Sequence, residues 1–205
     1  MGIYGDRILP RVIDRVCGMP ANDKLRRRLC AGLSGRALEV GFGSGRNVPF
    51  YPETVTRVSA VEPADLGWQM AAKRVAASPV PIDRAGLDGA DLPFEDNSFD
   101  TAVSSWTLCT IPDLPRALAE IRRVLVPGGT FHFLEHGLAP DAGVRAWQRR
   151  LDPIEQRIAG GCHLDRDIRG AIEAAGFEVA EVDRFYSPGA PKFFAALSLG
   201  FAESP

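Results

Sequence analysis

No stretch of the 205 residues approaches the roughly 20 consecutive apolar side chains of a membrane span. The C-terminal run from Phe193 to Phe201 is too short for that and reads as a buried strand. Cysteine is scarce. Cys17, Cys30, Cys109 and Cys162 are scattered without C-x-x-C spacing, which speaks against a zinc ribbon or a disulfide framework and for a reducing compartment. Histidine is scarcer still. His132, His136 and His163 form no metal-ligand cluster, so no metal is expected. The N-terminal stretch carries Asp6, Arg7, Arg11, Asp14 and Arg15 and lacks the apolar core of a signal peptide. A cytoplasmic location without a membrane anchor is the expectation. An excess of one charge is also missing. A formal net charge of −2 argues against a general nucleic-acid binder, and Arg26-Arg27-Arg28 reads as a solvated helix face.

Apolar residues make up 45% of the chain and charged residues 24%, enough to bury a full core in one globular domain spanning 1–205. No internal repeat or low-complexity linker divides it. Ile8, Val12, Ile13 and Val16 form a stripe at helical spacing, and a second short helix is expected over 24–31. These two make an N-terminal helical cap, 1–34, on a core of 35–205. From Arg36 strands and helices alternate, which predicts a largely parallel sheet covered on both faces. Strands are expected at 36–40, 57–61, 80–84, 99–104 and 130–134. Helices are expected at 64–77, 114–125, 142–158 and 165–175, the last closed by Gly176. Pro127-Gly128-Gly129 is expected to stop one helix and turn into the fifth strand. Two last strands, 177–185 and 192–199, are expected to pair antiparallel at an edge.

The segment Ala37-Leu38-Glu39-Val40-Gly41-Phe42-Gly43-Ser44-Gly45 carries the most information. An apolar strand enters a glycine turn, where the missing Cβ atoms let the backbone bend and approach a ligand. Such a turn at the carboxyl end of a parallel strand is where open α/β sheets bind nucleotide-like molecules. The dinucleotide fingerprint G-x-G-x-x-G would need its third glycine at the position held by Arg46. That weakens a nicotinamide-dependent oxidoreductase reading. At the end of the second strand, Glu62 is placed to accept hydrogen bonds from ribose hydroxyls.

The Gly41-x-Gly43-x-Gly45 turn preceded by Glu39 resembles motif I of class I S-adenosylmethionine methyltransferases. Asp88-Gly89-Ala90-Asp91-Leu92-Pro93-Phe94-Glu95-Asp96-Asn97-Ser98-Phe99-Asp100 is similar to the signature of the methyltransferase superfamily that includes the quinone-biosynthesis C-methyltransferases. The resemblance implies a Rossmann-like α/β fold with a seven-stranded sheet, and S-adenosylmethionine as methyl donor. S-Adenosylhomocysteine would be the product. It implies cofactor contacts from Glu39, Gly41, Gly43, Gly45 and Glu62, adenine contacts from Asp88 and Gly89, and a methionine contact from Ser105. Leu87 stands where the family usually has glycine.

Phe133-Leu134-Glu135-His136-Gly137, Trp147-Gln148-x-x-Leu151-Asp152-Pro153 and Gly161-Cys162-His163-Leu164-x-Arg166-Asp167 resemble a narrower set, the methyltransferase-like 7 group of thiol S-methyltransferases. The resemblance implies a small, partly apolar methyl acceptor, a thiol first. Phenol or quinone O- or C-methylation and N-methylation of a lipid head group follow, with a non-catalytic cofactor-binding module as the reading from another class. A thiol acceptor must lose its proton, so His136 and His163 are the candidate catalytic bases. Tyr4, Trp106 and Cys109 are the candidate pocket residues, Tyr4 as part of a lid.

Overall fold

The alternation that begins at Arg36 is realised as one seven-stranded sheet in the order β3-β2-β1-β4-β5-β7-β6. The computed structural model describes residues 4–205, without the Asp6 side chain. The strands are β1 (Gly35–Val40), β2 (Val55–Val61), β3 (Ile82–Gly86), β4 (Phe99–Ser105), β5 (Leu125–His136), β6 (Glu178–Tyr186) and β7 (Ala196–Glu203). The helices are α1 (Leu9–Cys17), α2 (Asp23–Cys30), α3 (Asp65–Ala76), α4 (Leu114–Val124), α5 (Ala142–Ile158), α6 (Ile168–Ala174) and the short α7 (Lys192–Ala195). β1 to β5 run parallel, and β7 pairs antiparallel with both β5 and β6. The expected antiparallel pairing is therefore present, supplied by β7 from inside the sheet, with β6 outermost.

Successive side chains of a strand face opposite ways, and the core divides accordingly. On one face Leu38 and Val40 of β1 join Phe131 and Phe133 of β5 beneath Leu118 and Ile121 of α4 and Ile172 of α6. On the other, Ala37, Val58, Val103 and Leu134 receive Leu29 and Cys30 of α2. α2 is thus a covering helix of the sheet. α1 differs: it has no buried residue, and Ile8, Val12 and Val16 remain about half exposed. The stripe read from the sequence therefore does not face the core. Among the described residues, no helix is long and apolar enough to cross a membrane.

Several boundaries shift by a few residues, and two of the shifts have clear physical reasons. The segment expected as strand from residue 192 opens as α7, set off by Pro191 and held by Gln148, whose Nε2 donates to the Phe193 carbonyl at 3.2 Å. The strand follows it as β7. β5 starts at Leu125 and runs through Pro127-Gly128-Gly129. Gly128 N donates to Ser204 O at 2.7 Å and Ser204 N to Gly129 O at 2.8 Å, so the turn is paired as sheet backbone.

Candidate active site

β1 and β4 are neighbours, and the connections that leave their carboxyl ends run to opposite sides, β1 to β2 and β4 to β5, which opens a crevice there. The glycine turn forms the crevice floor, and each glycine has its own job. Gly41 (φ +78°) passes so close to the loop after β4 that a Cβ would lie 2.0 Å from Thr107 Oγ1. Gly45 (φ +72°) packs on α3, where a Cβ would meet Ala71 at 3.2 Å. At Gly43 (φ +56°) a Cβ would meet nothing closer than the Gly41 carbonyl at 4.0 Å. Its open side is where a ligand can approach.

Glu62 closes one side of the turn. Oε2 accepts from Gly43 N at 2.6 Å and Oε1 from Ala64 N at 2.8 Å. Burial raises its pKa, and the two backbone donors pull the other way. The cavity bounded by these groups has a volume of about 380 Å³. Glu39, Gly41, Gly43, Glu62, Ser105 and Trp106 all line it, six of the residues anticipated from sequence. Thr107 and Thr110 add to the wall after β4. Leu9, Pro10 and Ile13 of α1 supply an apolar wall, and Gly160 closes it beyond α5.

Beneath the turn lies a buried polar network. Asn47 Nδ2 donates to Glu39 Oε1 at 2.9 Å and to Ser105 Oγ at 3.1 Å, and Tyr51 OH donates to Glu39 Oε2. Desolvation pushes the Glu39 carboxyl up to about 7 against these donors. Arg26 reaches the same network from α2 and stacks 4.8 Å from the centre of the Trp106 ring. Trp106 itself holds φ +51°, an uncommon backbone state for a bulky residue, fixed by its N–H on Leu134 O at 2.9 Å. One face of the ring is therefore already taken by Arg26.

The other anticipated residues stand around the cavity rather than in its lining. Asp88 is exposed and its Oδ1 accepts from Ala90 N at 2.8 Å; Gly89 follows it, with Val40 Cγ1 3.0 Å from where a Cβ would be. Tyr4 crosses to the end of α5, its hydroxyl donating to Ile158 O at 2.6 Å. This ties the N-terminal turn to the end of α5, with Tyr4 itself 49% exposed. Cys109 is buried, and the neighbouring Cys162 and burial together hold its thiol well above the usual range. His136 Nδ1 lies 3.5 Å from Cys162 Sγ, and His136 Nε2 is buried with no partner among the described residues. Cys109 and His136 lower the Cys162 pKa, against the opposing effect of burial. His163 donates its backbone N–H to Cys109 O at 2.9 Å and sets Nδ1 against Gln156 and Asp152. Neither histidine is among the residues that line the cavity.

Sequence reasoning missed the residues that hold this wall. Glu135 is fully buried and accepts from Ser104 Oγ at 2.8 Å and Thr107 N at 2.9 Å. Arg166 Nη1 donates to Leu108 O at 2.6 Å and Ile111 O at 2.7 Å. Asp152 caps the Leu164 N–H at 2.7 Å. Asp152, His163 and Asp165 are the group among the described residues that brings possible metal donors within 4.8 Å of one another. The Asp152 oxygens already serve Leu164 and Gln156. The second and third of the subgroup-like motifs thus include loop anchors.

An open glycine, an adjacent carboxylate already oriented by two backbone donors, and a cavity of this volume fit S-adenosylmethionine. The comparisons agree. The methyltransferase domain family matches residues 38–133. Human thiol S-methyltransferase TMT1A is 33% identical over 77% of this chain and 67% of its own length. A phosphatidylethanolamine N-methyltransferase of Cereibacter sphaeroides is 30% identical over 76% of this chain and 78% of its own. A crystal structure of a Bacillus halodurans methyltransferase superposes with TM-score 0.71 at 17% identity, covering 89% of this chain and 98% of that one. The chain belongs to the class I S-adenosylmethionine-dependent methyltransferases. Within that class it is similar to the thiol S-methyltransferases, and it spans about two thirds of the length of TMT1A.

Proposed function

We propose that the protein methylates the sulfur of small, partly apolar thiols. The observation that carries this reading is the cavity wall of Leu9, Pro10, Ile13 and Trp106, which offers an acceptor apolar contact beside the glycine turn. The similarity to thiol S-methyltransferases points the same way. S-Adenosylmethionine supplies a methyl group made electrophilic by its sulfonium. The protein's part is to align the acceptor and exclude water. A free thiol has a pKa of about 8.5, so a modest proton acceptor suffices near neutral pH. His136 and His163 are proposed for that role. Glu62 is proposed to hold the ribose hydroxyls, Asp88 and Gly89 the adenine, and Glu39 and Ser105 the methionine end. Gly41, Gly43 and Gly45 shape the turn that admits the cofactor.

N-methylation of an amine head group is the second reading, favoured by the greater share of the phosphatidylethanolamine enzyme's length that is matched. The test uses methyl-labelled S-adenosylmethionine with alkyl and aryl thiols, beside amines, phenols and quinols, with products identified by mass spectrometry. Labelled methyl sulfides are expected. A labelled amine, ether or ring-methylated product with no sulfide overturns the thiol reading and leaves the class intact.

A further inference from the structure

α2 turns Arg26 inward to 3% exposure while Arg27 and Arg28 stay in solvent. The run read as a solvated face therefore hides one buried cation. Taking a guanidinium out of water is costly unless a counter-charge receives it. Yet every partner of Arg26 is neutral. Nη1 donates to Asn47 Oδ1 and reaches Ser105 Oγ at 3.5 Å, and Nη2 donates to the Cys17 carbonyl at 3.2 Å. Its flat face rests on Trp106. Nε–H finds no acceptor among the described residues. The nearest carboxylate in this network, Glu39, is held one step away by the Asn47 amide. The cavity's other guanidinium, Arg46, is already committed. Its Nε and Nη2 both bind Asp14, each at 2.7 Å.

Arg26 lines the cavity beside Glu39 and Ser105. S-Adenosylmethionine carries its one anionic group, the α-carboxylate, next to an ammonium. A cation without an anion and a carboxyl group held beside it form the complement of that zwitterion. We propose that Arg26 receives the α-carboxylate of S-adenosylmethionine, while Glu39 faces the ammonium. The inference rests on the cavity being the cofactor site. It makes α2, which lies outside residues 38–133, part of that site. A guanidinium suits the task because it presents a planar fork to a carboxylate.

The test compares binding of S-adenosylmethionine with its decarboxylated analogue, which keeps adenosine, sulfonium and amine. Isothermal titration calorimetry on the whole chain reads both affinities without turnover. The wild type is expected to prefer the carboxylate-bearing ligand roughly 10- to 100-fold, as charge-assisted hydrogen bonds allow. In Arg26→Met that preference is expected to collapse to near unity, with analogue affinity retained. Arg26→Lys, which keeps the charge and guards against a misfolded Met variant, is expected to keep part of it. An equal affinity for both ligands in the wild type overturns the proposal whatever the variants do. So does a preference that survives in Arg26→Met, or a loss that falls equally on both ligands. Collapse in Arg46→Met instead would move the role to Arg46 and also overturn it. Failure of either ligand to bind the wild type would overturn the cavity assignment itself, and this inference with it.

Discussion

Glu135 on β5 accepts the Thr107 N–H at 2.9 Å and thereby fixes the loop that carries Trp106 and Thr110 into the cavity wall. The same carboxylate also takes Ser104 Oγ at 2.8 Å. Glu135→Ala would strand these donors, at about 1–3 kcal/mol for each one left unpaired in the interior. A large fall in melting temperature is expected, and a smaller one for Glu135→Gln, which keeps an acceptor. An unchanged melting temperature in the Ala variant would show that the loop is held by other contacts.

Burial pushes both Glu39 and Glu135 up to about 7, from an ordinary value of 4.5. Between these values the folded state holds protons that the unfolded state has released. Each group therefore favours folding below about pH 4.5, and that contribution is lost as the pH rises to about 7. Its size is on the order of 3 kcal/mol per group. His132, lowered to about 4 by burial, acts in the opposite sense, losing stability as the pH falls below 6.5. Urea unfolding of ligand-free protein at about pH 5 and about pH 8 separates the two. Glu39→Gln should flatten the decline toward high pH. An identical decline in that variant would remove Glu39 as its source.

Gly43 and Gly41 should fail in different ways. Valine at 43 meets open space, so the fold is expected to survive the cost of its left-handed backbone, about 1–2 kcal/mol. Its side chain enters the cavity, and S-adenosylmethionine affinity should fall more than tenfold, by the roughly 1.4 kcal/mol or more that one such clash costs. Alanine at 41 collides with Thr107 and should cost stability first. Equal affinity in Gly43→Val and wild type would place the cofactor elsewhere.

Cys162 should be the first cysteine to alkylate near neutral pH. Cys109 and His136 lower its pKa, whereas burial raises Cys17 to about 11 and Cys30 higher still. Peptide mapping after brief iodoacetamide treatment checks this, and His136→Gln should slow the labelling. The same variant tests the proposed base. Slower methyl transfer at near-normal cofactor affinity supports the role. An unchanged rate confines His136 to its contact with Cys162.

Much of this was legible in the chain. Local signals are strong where a single segment supplies both element and chemistry. The strand into Gly41-x-Gly43-x-Gly45 is one such segment, and Glu62 at the next strand end is another. Their cavity positions follow from parallel-strand geometry alone. Boundaries were less legible where pairing overrides local propensity. The Pro127-Gly128-Gly129 turn became strand because the C-terminal segment bonds to it, and that partner lies far along the chain.

What the sequence determined by itself was the fold class and the cofactor, because glycine placement, alternating apolar runs and strand-end carboxylates act within short stretches. Tertiary structure alone decided which polar residues matter around them. Arg26 looks like its neighbours Arg27 and Arg28 until α2 lies on the sheet and turns one of the three inward. Glu135 and His136 are adjacent, yet one pins the loop after β4 and the other meets Cys162. Burial and partnership are set by contacts between residues distant in the chain. Those contacts exist only once the sheet is assembled.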